Sequence, residues 1–440
     1  MNVLVLHRGS LTANPYHRWL ADHDGGIVLL ACRDSLDRHG ERLPTGDPRY
    51  LHAEALDAYD TDSLLEARAA ELARRYGVTQ IVACQERDLE RAARLRQDLA
   101  LVGPLPDEVA PFRDKWTMKH RARLAGLPVA EHALVTNPDR LLAFVGRHGL
   151  PAVVKPRRGA GSVGLRILTD RTEVDGFVAS GACAHREPAW LVESFVPGGM
   201  CHIDGLVTGG RIRSMWPFQY LYTLASFRED RDARLDLPFD PGDPLAHRLL
   251  DFGRGVLRAL PGPEDFAFHI EVFRTPEDEL VLCEAACRAP GAALRDVHRT
   301  MFGFDPAQAA VRAQLGLPLP AGASDRVPAR PRVLAGQMLL MKRPGTVRRL
   351  PESLEGSPGL AWHRIFVEVG GRMTAPTYSA DVLAAFVVSG PTRAVCERRM
   401  RELDVRFRAG LEIDPGIDPG IDSGTGSGTG SEDEVRGART

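Results

Sequence analysis

The chain has 440 residues, 44% of them hydrophobic and 26% charged, with 56 Lys and Arg set against 58 Asp and Glu. That length exceeds what one hydrophobic core serves, so two or three domains are expected, and the near-neutral balance excludes a global basic field for nucleic acid or an acidic membrane surface. Seven scattered cysteines without a CxxC pair exclude a disulfide framework or zinc knuckle, and with no basic leader and no apolar run of about 18 residues a soluble cytoplasmic protein is expected.

Residues 1–112 read as a small α/β domain. Apolar runs at 2–6, 27–31 and 80–83 predict buried strands and the periodicity of 63–76 and 89–101 predicts helices, an alternation that builds a parallel sheet. HRGSLTA follows the first strand where a dinucleotide-binding enzyme carries GxGxxG, which argues against an NAD-dependent oxidoreductase. Glu86, just past the third strand, stands where open α/β sheets bind ligands; a helix-start acid favoured by the macrodipole is the equal alternative.

From residue 114 the character changes. DKWTMKHRARLAGLP reads as a helix closed by Gly126 and Pro128. The chain holds four lysines, Lys115, Lys119, Lys155 and Lys342, against 52 arginines, and three of the four fall within 41 residues. An ammonium is a compact point charge and guanidinium a planar fork, so each lysine singles out its position. Lys115, in the first helical turn, opposes the dipole and implies an anion nearby. Residues 150–168, LPAVVKPRRGAGSVGLRIL, place Lys155 on a strand ahead of a turn holding Gly159, Gly161, Ser162 and Gly164, whose amides can converge on phosphate. Without GxxxxGK[ST] it is not a P-loop. AWLVESFVPGG, 189–199, is a strand in which Glu193 either accepts from an exocyclic amine beside the backbone of Phe195 and Val196 or is an ordinary strand-end acid. His202 and Asp204 alternate onto one face of the next strand, by default a satisfied polar contact.

The stretch 266–291, FAFHIEVFRTPEDELVLCEAACRAPG, reads as a hairpin about Pro276, Glu277 and Asp278. With the turn centred on Glu277 and Asp278, Glu271 and Glu284 oppose each other on one face. Like charges about 5 Å apart repel unless neutralised, and a divalent cation with oxygen ligands would neutralise them. Two solvated acids are the plainer alternative, and a one-residue register change would part them.

In order and spacing, Lys115, Lys155, the glycine turn, Glu193, Glu271, Glu284 and Arg288 resemble the ATP-grasp superfamily, and more narrowly its carboxylate-amine ligases, the group of the L-amino acid ligases. The resemblance implies an α/β fold, α+β in the ATP-grasp core. Its parts are an N-terminal parallel-sheet (pre-ATP-grasp) domain at 1–112, a small lobe with a glycine-rich flap at 113–188, a large lobe with the metal site at 189–320 and a small C-terminal α+β subdomain at 321–412. A Gly/Ser/Asp-rich tail at 413–440 has too few apolar residues to order itself and is expected to be disordered.

Carried over by the resemblance, Lys115 and Lys155 contact ATP phosphates under a flap of Gly159, Gly161, Ser162 and Gly164. Glu193, Phe195 and Val196 sit at the adenine, Glu271 and Glu284 hold magnesium, for which manganese can substitute, and Arg288 faces an acyl phosphate. The implied reaction joins a carboxylate to an amine through that acyl phosphate, releasing ADP and phosphate, as in an amino acid or dipeptide ligase. Ala286 replaces a frequent asparagine ligand, and Met200 stands where an acid commonly meets the ribose. Arg295 and His298 are the first candidates for substrate, with Arg211, Arg213 and Tyr220 behind them. Two rivals are a biotin-carboxylase-like enzyme, whose QVEH run is missing, and a non-catalytic nucleotide-binding protein. The expected partners are small carboxylates and amines, with no nucleic acid or membrane; the sequence does not set the oligomeric state, and the resemblance makes a homodimer one option, since dimers are common among such proteins.

Overall fold

A computed structural model describes residues 1–183, 189–323 and 329–415. Four parallel strands, in the order Tyr50–Leu56, Ile27–Cys32, Asn2–His7, Val78–Ala83, form the N-terminal sheet. Three match the expected apolar runs. The fourth, Tyr50–Leu56, is only partly buried at the sheet edge, so its sequence lacks the apolar signal of a central strand. Helices Asp62–Arg75 and Glu86–Asp98 cover one face. The other face is closed by helix Pro306–Gln314, whose Ala307 and Val311 pack with Val3, Val5, Leu29 and Val82.

A four-stranded antiparallel sheet follows, in the order His132–Val135, Trp190–Ser194, Ala152–Pro156, Arg166–Leu168. Helices Pro138–His148 and Arg171–Ala179 pack on it through Leu141, Phe144, Val174 and Phe177. Trp190–Ser194 is an inner strand of this small sheet, so the boundary expected at 188/189 moves beyond 194.

The largest sheet has eight strands, in the order Leu280–Ala286, Phe266–Arg274, Gly199–Thr208, Arg211–Tyr220, Arg234–Pro238, Leu334–Met341, Val382–Gly390, Leu360–Ile365. The subdomain expected at 321–412 is therefore not separate. Leu334–Met341 pairs with Arg234–Pro238 and is buried at every position, which leaves no exposed sheet edge at which the chain could divide. Gly345–Arg349, Arg372–Met373 and Glu412–Asp414 make a small sheet of their own. Ile413 there pairs with Val347, so the start of the expected tail is ordered strand, and residues 416–440 lie outside the described residues.

Candidate active site

Glu271 and Glu284 pair directly across the hairpin. The turn centres on Glu277 alone, half a residue from the expected centre between Glu277 and Asp278. Thr275 donates to Glu279 O at 2.9 Å around a three-residue loop in which Asp278 takes φ 64°, the left-handed position usual in such loops. That turn alone would set Glu271 against Cys283. A bulge at Cys283 restores the acid pair, because Val272 faces Leu282 and Glu271 faces Glu284. The bulge carbonyls, Leu282 O and Cys283 O, accept from Lys119 Nζ at 3.2 and 3.1 Å. Lys119 is fully buried, and apart from its rarity as a lysine nothing in the sequence marked it.

Each of the three clustered lysines meets an acid. Lys115 Nζ lies 2.8 Å from Glu284 and 2.7 Å from Gly159 O, which answers its adverse place at the helix start. Asp114, the N-cap, accepts from Trp116 N at 3.0 Å and takes both prongs of Arg157 at 2.7 and 2.6 Å, tying that helix to the base of the glycine turn. Lys155 and Lys119 share Glu193, at 2.9 and 3.3 Å. Burial would raise the Glu193 carboxyl, but the two ammoniums hold it below its ordinary value. Burial likewise works against Lys155, which Glu193 holds above its ordinary value, whereas burial prevails at Lys119 and lowers it. Both lysines meet Glu193 Oε1, so this carboxylate anchors Lys155 and Lys119 as well as lining the cavity. Phe195 and Val196 line the cavity nearby, with Phe195 N donating to Pro151 O at 3.3 Å.

Arg288 binds Glu86, and Arg113 binds the other oxygen of the same carboxylate. Burial would raise Glu86, but Arg288 and Arg113 hold it down at about 2. Of the two readings for Glu86, its place beside Arg288 makes it part of the site as well as the first residue of its helix.

A cavity of about 1340 Å³ unites these groups. Its walls include Lys115, Lys155, Glu193, Glu271, Glu284 and Arg288, together with Gly159, Gly161 and Ser162 of the glycine turn. Gly164 is not on the wall; at φ 78°, with the space for a Cβ 2.9 Å from Pro156 Cγ, it shapes the turn instead. The N-terminal domain adds Arg8 and Gln85, and the C-terminal strands and loops add Trp362, Phe366 and Tyr378, which no motif announced. Tyr220 and Met200 also face the cavity, whereas Arg213 bonds Thr208 Oγ1 at 2.6 Å and neither it nor Arg211 is on the wall.

Arg295 reaches the wall, but its donors are taken by Asp305 at 3.1 and 2.5 Å, Asn14 Oδ1 at 2.9 Å and Ala13 O at 3.1 Å. Through these bonds it ties the N-terminal domain to the large lobe, a structural role beside its place on the wall. His298 is buried between Phe302 and Phe304, bonds Ser214 Oγ at 3.0 Å and lies off the cavity; burial pushes it down to about 4. Its substrate role is corrected, since it is a neutral core histidine.

The acid pair fits a hard divalent cation. Both donors are carboxylates, facing each other on one cavity wall, and each already carries a positive or hydrogen-bonding neighbour, Lys115 on Glu284 and His269 Nε2 at 3.4 Å from Glu271. Burial would raise the Glu271 carboxyl, but His269 outweighs it and keeps the acid below its ordinary value.

No family model matches the chain. It is 22% identical over 231 residues to the L-arginine-specific L-amino acid ligase of Bacillus subtilis, covering 51% of this chain and 54% of that protein. It is 30% identical over 205 residues to a D-alanine–D-alanine ligase of Frankia casuarinae, covering 45% of this chain and 50% of that one. The chain thus spans about half the length of the curated relatives it matches. The crystal structure of the L-amino acid ligase from Bacillus licheniformis shares the fold, with a TM-score of 0.74 at 16% identity over 94% of this chain and 99% of that one.

Proposed function

We propose that the chain is an ATP-grasp carboxylate-amine ligase, an ATP- and magnesium-dependent enzyme that joins a carboxylate to an amine, with amino acids as the first class of substrate to try. The observation that carries this reading is the convergence of an opposed Glu271–Glu284 pair, Lys115, Lys155 and Arg288 on one cavity that the glycine turn also lines.

In the proposed reaction an oxygen of the substrate carboxylate bonds to the γ-phosphorus of ATP as the bond to ADP breaks. The amine nitrogen then attacks the acyl carbon, loses a proton, and phosphate leaves with the acyl C–O bond. Lys115 and Lys155 would position the nucleotide phosphates, and Arg288, oriented by Glu86, would present its fork to the acyl phosphate and the oxyanion of the second step. Glu271 and Glu284 would hold magnesium, which supplies Lewis-acid polarisation of phosphate oxygens, with manganese able to replace it. The flap would exclude water that otherwise hydrolyses the acyl phosphate. A cytoplasmic location and a homodimer complete the reading; among the described residues no helix is long and apolar enough to cross a membrane.

The test is release of ADP and phosphate from magnesium-ATP against amino acids offered singly and in pairs, with Glu284→Gln as control. Release that requires a pair, with a new condensed mass, is the expected result. Release driven by bicarbonate without any amine would favour the carboxylase instead.

A further inference from the structure

Behind Glu271 runs a chain of buried side chains that the reaction above leaves unused. Glu271 Oε1 meets His269 Nε2 at 3.4 Å, and His269 Nδ1 meets Asp204 Oδ1 at 2.6 Å. Asp204 Oδ2 meets His202 Nδ1 at 3.1 Å, and His202 Nε2 lies 2.9 Å from both oxygens of Asp236. Gln337 Nε2 donates to Asp236 at 3.2 Å, and its Oε1 accepts from Ala293 N at 3.0 Å. Acid and imidazole alternate, each imidazole having a carboxylate beside both nitrogens; His202 Nδ1 meets Asp204 as an ion-pair contact, and the other three ring nitrogens are hydrogen-bonded.

The sheet makes this alignment. His269 pairs with Asp204 and Glu271 with His202 across neighbouring strands, and Asp236 pairs with Gln337 farther along. Arg211–Tyr220 lies between and contributes Phe218 and Tyr220, whose rings stack on His202 at 4.9 and 4.5 Å. His202 therefore has no freedom to turn, Asp204 is held by His202, and His269 is held by Asp204. The same residues could in principle ligate a metal themselves. Their spacing argues otherwise, since 2.6 Å between His269 and Asp204 is a hydrogen bond, well short of the roughly 3.3 Å between two ligands each about 2.0 Å from a tetrahedral ion.

We propose that His269, backed by Asp204 and His202, is the positioning residue that aims the Glu271 carboxylate at its partner Glu284. This rests on the magnesium reading given above. Partners that orient a metal-binding carboxylate are worth about 10- to 100-fold in metal affinity when removed. The bond a metal carboxylate forms is set by which way its oxygens face, and here one oxygen is fixed by His269, leaving the other for the cation.

The experiment is a manganese titration of the full-length protein with ADP present, followed by electron paramagnetic resonance, on His269→Phe, His269→Gln and Asp204→Asn, with ADP binding alone and circular dichroism measured in parallel. His269→Phe should weaken manganese binding about 10- to 100-fold, leave ADP binding alone unchanged, and raise KM for magnesium-ATP more than it lowers kcat. His269→Gln, which restores one donor, should recover part of the loss. Wild-type manganese affinity in folded His269→Phe overturns the proposal, and if that variant does not fold, wild-type affinity in His269→Gln and Asp204→Asn does so. Glu271→Gln separates the two claims: if it alone loses the metal, only the positioning role fails, whereas if it too binds manganese normally, the metal reading itself falls.

Discussion

Glu86 shows how one residue joins chemistry and stability. Its carboxylate faces Arg288 and Arg113 and is held at about 2. A carboxyl lowered in the folded state contributes stability that is complete above its unfolded value near 4.5 and is lost as pH falls through about 2. Urea midpoints should therefore fall between pH 5 and 2, and Glu86→Gln should flatten that decline by roughly 1–3 kcal/mol. It should also lower stability at neutral pH, since the buried Arg113 and the partly buried Arg288 lose their acid. A decline as steep in the variant as in the wild type would remove Glu86 as its source. Arg288→Lys tests the same cluster kinetically. The charge survives but the fork does not, so kcat should drop about 10²-fold while ATP binding holds; equal losses in both would mean Arg288 serves nucleotide binding instead.

At the level of elements, the hairpin depends on its bulge, and the bulge on Lys119. Removing that ammonium takes a donor from Leu282 O and Cys283 O and leaves Glu193 with one lysine. Lys119→Met should cost about 3–5 kcal/mol in urea unfolding, more than any exposed Arg→Met change; a loss under 1 kcal/mol would show the bulge stands by itself. Gly205 is the second pressure point, in the strand between the hairpin and Arg211–Tyr220. A Cβ there would lie 2.1 Å from Ser214 O and 2.4 Å from Phe268, so Gly205→Ala should yield little folded protein, read as loss of soluble expression. The flap is the opposite case, a short glycine-rich link between strands. Magnesium-ATP should slow tryptic cleavage at Arg157 and Arg158, and unchanged cleavage would count against closure over nucleotide.

Across the whole molecule the N-terminal domain is welded to the rest. Helix Pro306–Gln314 fills its second core, Arg312 grips Asp22 at 2.7 and 2.6 Å, and Arg295 reaches Asn14. Variants retaining only Trp19 or only Trp362 should report one thermal midpoint by fluorescence; two separate midpoints would show domains that unfold independently. The same joint places Glu86 beside Arg288, so loosening it should lower kcat without touching any residue that contacts nucleotide.

By itself the sequence determined the local elements and the chemistry they carry. The parallel strands, the glycine turn after Lys155, the hairpin and the lysines scarce among arginines all lie in short-range pattern, because periodicity and turn residues act within a few positions. Tertiary structure decided what each charged group faces. Glu193 met two lysines, His298 met phenylalanines, Arg295 met the N-terminal domain, and His269 met Asp204, each partner set by strand pairing or helix packing between distant segments. The C-terminal strands joined the central sheet for the same reason: a buried edge is satisfied only by another strand, and the choice of strand is not written in either one's own sequence.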